Sequence, residues 1–184
     1  YLADKCPVWL LKKEEDFDRI LDEQLAKLKT DHIDFYLLHA LDGNRFENTV
    51  KKFHLISHME KAKEEGKIRH LGFSFHDNLD SFKKIIDAYD GWEFCQIQYN
   101  YVDVCHQAGT EGLRYAAGKG LGVVIMEPLR GGKLADVSLH LAETFPAGKT
   151  PVEWALDFIW DQPEVSLLLS GMSAEKQVED NLLY

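Results

Sequence analysis

Short apolar runs alternate with longer amphipathic stretches along almost the whole chain. Ile33–Leu38, His70–Phe73, Phe94–Ile97, Leu121–Met126 and Val165–Leu169 are brief and largely apolar at consecutive positions. That is the pattern of strands covered on both faces, as in a parallel sheet. Between them, Glu14–Lys29 repeats Phe17, Ile20, Leu21, Gln24, Leu25 and Leu28 at helical spacing, which predicts a helix with one buried stripe. Val50–Glu65 is predicted as the next helix, closed by Gly66, with Lys61, Lys63 and Lys67 near its negative end. Asp77-Asn78 caps a helix that runs to about Tyr89. Further helices are predicted over Gly109–Lys119, ended by Gly120, over Pro151–Gln162 with proline in the first turn, and over Ala174–Leu183. Tyr1–Asp4 reads as part of one more strand.

Repeated strand–helix units joined by short loops imply right-handed crossovers and a parallel sheet. Such a sheet is either open and doubly wound or closed into a barrel. No G-x-G-x-x-G follows the first strand, which disfavours the dinucleotide-fold version of the open sheet. Of the two α/β closures, the TIM (β/α)8 barrel is the one this favours, with the open sheet kept as the alternative. A full barrel of this kind takes about 250 residues, and the chain has 184. Residues 1–184 are accordingly expected to form a single, partial barrel domain truncated at its N-terminal side, from about the third or fourth of eight strands to the last.

The junctions after the apolar runs carry the chemistry. DHIDFYLLHA, residues 31–40, delivers His39 at the end of a strand, and the other runs stop at Ser74, Gln96 or Gln98, Glu127 and the Ser170-Gly171 pair. In a ring of parallel strands these positions converge on one rim, where barrel enzymes keep their active sites.

Charge and cysteine usage narrow the class. A formal net charge of −10 argues against a nucleic-acid or anionic-membrane surface, since both call for clustered cations. No apolar run approaches the roughly 20 residues of a membrane span. Cys6, Cys95 and Cys105 form no C-x-x-C pair and no metal-ligand spacing, which fits a reducing, cytoplasmic compartment. His54 and His58 stand four apart, but flanking lysines make them an ordinary helix face rather than a metal site.

YLADKCP, DHIDFYLLH, GKIRHLGFSFHD, FCQIQYNYVD, GLGVVIMEPLRGGKLA and VSLLLSGMSAEKQVEDNL follow one another in order. Together they resemble the aldo-keto reductases, carbonyl reductases that use NADP or NAD on a TIM barrel, and the resemblance covers essentially the whole chain. FSFHD, IQYNY and MEPLRGGKLA are most similar to a bacterial branch whose members often carry an added iron–sulfur region. Such a cluster would have to be held outside this segment. The resemblance implies reduction of an aldehyde or ketone by hydride transfer, with a general acid protonating the oxygen. It makes Lys5 the family's lysine, following a strand, with Asp4 where threonine is commoner. It makes His39 the histidine that orients the carbonyl. The family's tyrosine and aspartate correspond to segments ahead of residue 1, so this segment alone is expected to be inactive.

The same resemblance assigns Ser74 and Gln96 to the nicotinamide carboxamide, and sets Met126 where many relatives place an aromatic ring. It makes Glu127–Leu134 a phosphate-side loop, with Glu127, Leu129 and Gly132 along it and Arg130 and Lys133 facing a pyrophosphate. Gly171, Met172, Ser173, Gln177, Asp180 and Asn181 fall at the adenosine end. Gly171 stands in place of a common lysine. Gln177 stands in place of an arginine that often grips the 2′-phosphate, which weakens the family's usual leaning toward NADP. The implied partners are a small carbonyl substrate and a covering for the open strand edges, either the remaining part of the barrel or another chain.

Two rival classes remain at this level. One is a non-catalytic, nucleotide-binding or subunit-like barrel, because a fold alone does not fix a function. The other is an unrelated barrel using a lysine Schiff base, for which Lys5 is the only candidate at a strand end.

Overall fold

Each apolar run pairs with the next one in the chain. The computed structural model describes residues 1–137 and 148–184. Within them the strands are β1 (Ala3–Cys6), β2 (Ile33–Leu41), β3 (Ile68–Phe75), β4 (Phe94–Gln98), β5 (Gly122–Met126) and β6 (Leu167–Leu168). All neighbours are parallel and the order in the sheet is the order in sequence. A doubly wound sheet must reverse direction at a switch point; this one does not, and its unbroken order is that of a barrel wall.

The connecting helices are α1 (Asp16–Leu28), α2 (Leu55–Glu64), α3 (Leu79–Asp87), α4 (Gly109–Gly118), α5 (Pro151–Trp160) and α6 (Glu175–Leu183). Local chemistry sets their ends. Asn78 accepts a hydrogen bond from the Ser81 amide at the start of α3, and Thr150 with Glu153 forms a capping box under Pro151. Beyond α2, Gly66 takes φ +78°, a left-handed angle that glycine adopts without a Cβ penalty.

Side chains of one parity point at the helices and form the core. Tyr36 and Leu38, Phe73, Cys95 and Ile97, and Val123 and Ile125 are all fully buried there. Burial pushes the Cys95 thiol pKa up, as it does that of Cys6, which rises to about 12; both behave as small apolar residues. An aromatic cluster fastens α3 to β3. Phe82 sits 4.9 Å from Phe75 and 5.9 Å from Phe73, and Phe73 lies 4.9 Å from Trp92. Gly112 of α4 completes that contact, since a Cβ there would come within 3.2 Å of the Phe82 ring.

Three elements differ from the sequence expectation. The helix predicted from Val50 begins only at Leu55, because His54 takes a left-handed φ of +49°. A wider helical turn over Phe46–Lys51 precedes it, and Asp42 caps a short turn at Gly43–Arg45 in what reads as a loop. β2 does not stop before His39 but runs to Leu41 with a register shift between Leu38 and Leu41. The run Val165–Leu169 forms only a two-residue strand, at a sheet edge with one partner.

Among the described residues no group of three or more histidine, cysteine or acidic side chains is placed to hold a metal ion. Instead His58 joins α2 to α1. Its Nδ1 is 3.1 Å from both oxygens of Asp18 and its Nε2 is 3.1 Å from Glu14. Both ring nitrogens face carboxylates, so the doubly protonated ring fits best. Burial opposes its charge, but the bonds to Asp18 and Glu14 outweigh it and hold the pKa above the usual value. A raised folded-state pKa stabilises below the unfolded value and loses that effect as pH rises through the folded value. We expect His58→Gln to lower the melting temperature below pH ~6.5 and to match the parent at alkaline pH. A pH-independent difference in thermal melts would refute the clamp.

Candidate functional site

The parity opposite to the core brings together residues far apart in sequence. Lys5 registers with Leu37, Leu37 with Gly72, and Ser74 with Gln96 and then Val124. Lys5, His39, Ser74, Gln96 and Met126 therefore share the inner face of the sheet near its C-terminal edge. Lys5 lies inside β1 rather than after it.

Lys5 and His39 are half-buried, and burial lowers the pKa of each below its usual value. The Lys5 charge adds to the effect on His39, as do His76 and Arg45. The His39 ring is consequently neutral near pH 7, able to donate one N–H while leaving its other nitrogen as an acceptor. Three neighbours enclose it. The Trp9 ring lies 4.9 Å from the imidazole, and the Arg45 guanidinium stands 5.8 Å over Trp9. Arg45 is fixed by the Ala40 carbonyl at 2.7 Å and Asp42 at 3.0 Å. His76, one residue beyond β3, also has its pKa lowered, chiefly by burial and further by Lys5 and Arg45.

The floor of the site is polar and organised. Ser74, fully buried, accepts from the Ala40 amide at 2.7 Å, which leaves its hydroxyl hydrogen to donate. The Gln96 amide donates to the Met126 sulfur at 3.1 Å, retaining a carbonyl and a second N–H. Ala40 and Glu127, the residues that follow His39 and Met126, have φ of +55° and +59°, and Gln107 and Arg130 are similar at +54° and +50°. Strained backbone of this kind concentrates where a scaffold must hold functional groups in a set geometry.

Asn100 braces the loop that follows β4. Fully buried, it donates to the Glu127 carbonyl and to Asp103, both at 3.1 Å, and accepts from the amides of Val102 and Asp103. Asp103 in turn accepts from Gln98 and pairs with Arg130, each at 3.1 Å. Arg130 pairs with Asp103 through its Nε, and neither it nor Lys133 lines the adjoining cavity, whose walls include Glu127, Leu129, Gly131 and Gly132.

That cavity, about 650 Å³, is lined from Glu127 to the far end of α6 at Leu183 and Tyr184. Of the adenosine-end residues assigned by resemblance, Gly171, Met172, Gln177, Asp180 and Asn181 line it, while Ser173 does not. Asn181 donates to the Ser170 hydroxyl at 2.9 Å. Gly131 and Gly132 have positive φ, and a Cβ built on Gly132 or Gly171 meets nothing within 4 Å. Bare backbone therefore forms part of the wall, as a phosphate-bearing ligand requires. The cavity is lined from Glu127 onward, next in sequence to the Met126 that Gln96 contacts, so the two regions adjoin and the residues present fit a ligand as long as a nicotinamide dinucleotide.

Sequence reasoning missed Trp9, Arg45, His76 and Asn100. His76 and Asn100 carried a signal, standing in the FSFHD and IQYNY stretches that follow the β3 and β4 runs. The others act through partners that spacing does not reveal.

Residues 3–184 match the model of the aldo/keto reductase family. L-galactose dehydrogenase of Arabidopsis thaliana is 28% identical over 205 residues, covering 98% of this chain and 62% of its own. An aldo-keto reductase of Fusarium vanettenii is 28% identical over 141 residues, covering 73% of this chain and 36% of its own. The holo form of an aldo-keto reductase from Bacillus halodurans superposes with a TM-score of 0.83 at 23% identity, over 99% of this chain and 65% of that one. The chain spans less than two thirds of the length of each of these proteins.

Proposed function

The chain belongs to the aldo/keto reductase family, and from that premise we propose that the protein reduces aldehyde or ketone carbonyls to alcohols with a nicotinamide cofactor. The observation that supports this most is the placing of Lys5 and His39 on adjacent strands of one inner face, beside Ser74 and Gln96. A bound reduced nicotinamide would supply the hydride. Ser74 and Gln96 would fix the carboxamide, and Met126 would pack against the ring. Neutral His39 would donate its N–H to the substrate oxygen and hold the carbonyl in line. Lys5, kept close by β1, would lower the pKa of a neighbouring phenolic acid toward working pH. Trp9 is 49% exposed and would form the outer wall of the carbonyl pocket.

We also propose a cytoplasmic setting, in keeping with three unpaired cysteines. The edges of β1 and β6 would be covered by further barrel strands or by a partner, since bare strand edges invite association.

Turnover is read from nicotinamide absorbance when the intact protein meets a panel of aldehydes and ketones. Consumption of NADH or NADPH that depends on the carbonyl is the expected result. Tight cofactor binding with no turnover on any carbonyl, or in reverse on any alcohol, would refute catalysis and favour a nucleotide-binding barrel.

A further inference from the structure

The turn after β2 holds a guanidinium beside the carbonyl end of the site. Three hydrogen bonds fix that turn. Asp42 accepts from the Arg45 amide at 2.6 Å, Asp77 accepts from the Gly43 amide at 2.9 Å, and the Arg45 side chain donates to the Ala40 carbonyl at 2.7 Å. Both contacts that hold the guanidinium, to Ala40 and to Asp42, fall on its Nη1. Among the described residues no hydrogen bond or ion pair engages Nε or Nη2, which keep their N–H donors. A tether to the backbone uses one nitrogen. The remaining edge of the fork suits a planar carboxylate, which it can meet with two parallel bonds.

Distance and charge place that edge within reach of the reaction. The guanidinium carbon stands 5.8 Å over the Trp9 ring, which lies 4.9 Å from the His39 imidazole. It is therefore no farther from the imidazole than those two separations laid end to end. A benzene ring or a short alkyl chain resting on Trp9 bridges such a gap. The Arg45 charge is felt by His39 and by His76, whose pKa values it helps to lower. Asp42 already offsets part of that charge, so a singly charged group fits better than a phosphate carrying about −1.5 to −2.

We propose that the carbonyl substrate is an oxo acid, with its carbonyl oxygen on His39, its linking carbons on Trp9 and its carboxylate on Arg45. The proposal rests on the carbonyl reduction proposed above, and makes Arg45 the specificity-determining residue. Steady-state reduction by the intact protein of para-formylbenzoate and of succinic semialdehyde, each against its methyl ester, tests it. At least one acid is expected to exceed its ester in kcat/KM by about tenfold or more, chiefly through a lower KM. Arg45→Met is expected to bring that ratio within about threefold of unity, and Arg45→Lys to keep part of it. A general disturbance of the turn would slow acid and ester alike and leave their ratio unmoved. Equal kcat/KM for acid and ester in the parent protein, or a preference that survives Arg45→Met, would overturn the proposal and spare the reduction. Turnover of other carbonyls but of neither acid would do the same. Turnover of no carbonyl at all would overturn the proposal and the proposed function together.

Discussion

Replacing His39 with alanine is expected to lower kcat/KM for carbonyl reduction by ~10²-fold or more, with little change in dinucleotide affinity. The imidazole sits on the inner face, away from the cavity that would hold most of the cofactor. It would touch the substrate oxygen rather than the nucleotide. Burial together with the Lys5, His76 and Arg45 charges keeps it neutral, so the loss removes a neutral donor and not a cation. The sign of the pH dependence follows. A depressed histidine pKa keeps the parent in its neutral, competent form down to pH values where an ordinary imidazole would already be protonated. Adding a nearby negative charge with Arg45→Glu should raise that pKa and move the acid limb of the kcat/KM profile upward. Steady-state kinetics across pH decide this. An alanine variant within about threefold of the parent would remove His39 from the reaction.

Phe82→Ala is expected to cost about 3–5 kcal/mol, the usual range for emptying a large, fully buried aromatic site. Phe82 has no exposed surface, and its ring touches β3 through Phe73 and Phe75 and α4 through Gly112. Neighbouring aromatic rings are stiff and fill the vacated space poorly, so the cavity term stays large. The melting temperature should fall by roughly 10 °C. Because β3 carries Ser74 and leads into His76, a variant that still folds should also bind dinucleotide more weakly. Chemical denaturation and thermal melts measure the first effect. A loss below about 1 kcal/mol would mean that α3 repacks on β3 without this ring.

How far the sequence revealed these features follows from what side-chain patterns encode. Period-two burial and helical spacing are written into side-chain type. The strands and most helices could therefore be located, and His39, Ser74, Gln96 and Glu127 could be seen at the junctions of one rim, whereas Lys5 and Met126 were reached only through the family resemblance. Backbone turns at ordinary residues are not written that way. His54, with a left-handed φ, interrupts an apolar periodicity that runs through Val50, Phe53 and Leu55 without a break. The short β6 has the apolar composition of a full strand, yet only Leu167–Leu168 form it, and among the described residues it pairs with β5 alone. The family resemblance gives Arg130 a phosphate-side place, but not its pairing with Asp103 on a different loop. Charge is legible in a sequence; the partner of a charge across two loops is not.

The buried Asn100 has a consequence for timing. By tying the loop after β4 to the Glu127 carbonyl, and through Asp103 to Arg130, it fixes the backbone at the mouth of the cavity through contacts within the chain itself. Conformational entropy of order 1–2 kcal/mol per residue is thus surrendered when the chain folds, not when a ligand arrives. A ligand meeting walls already in place keeps more of its contact energy as affinity.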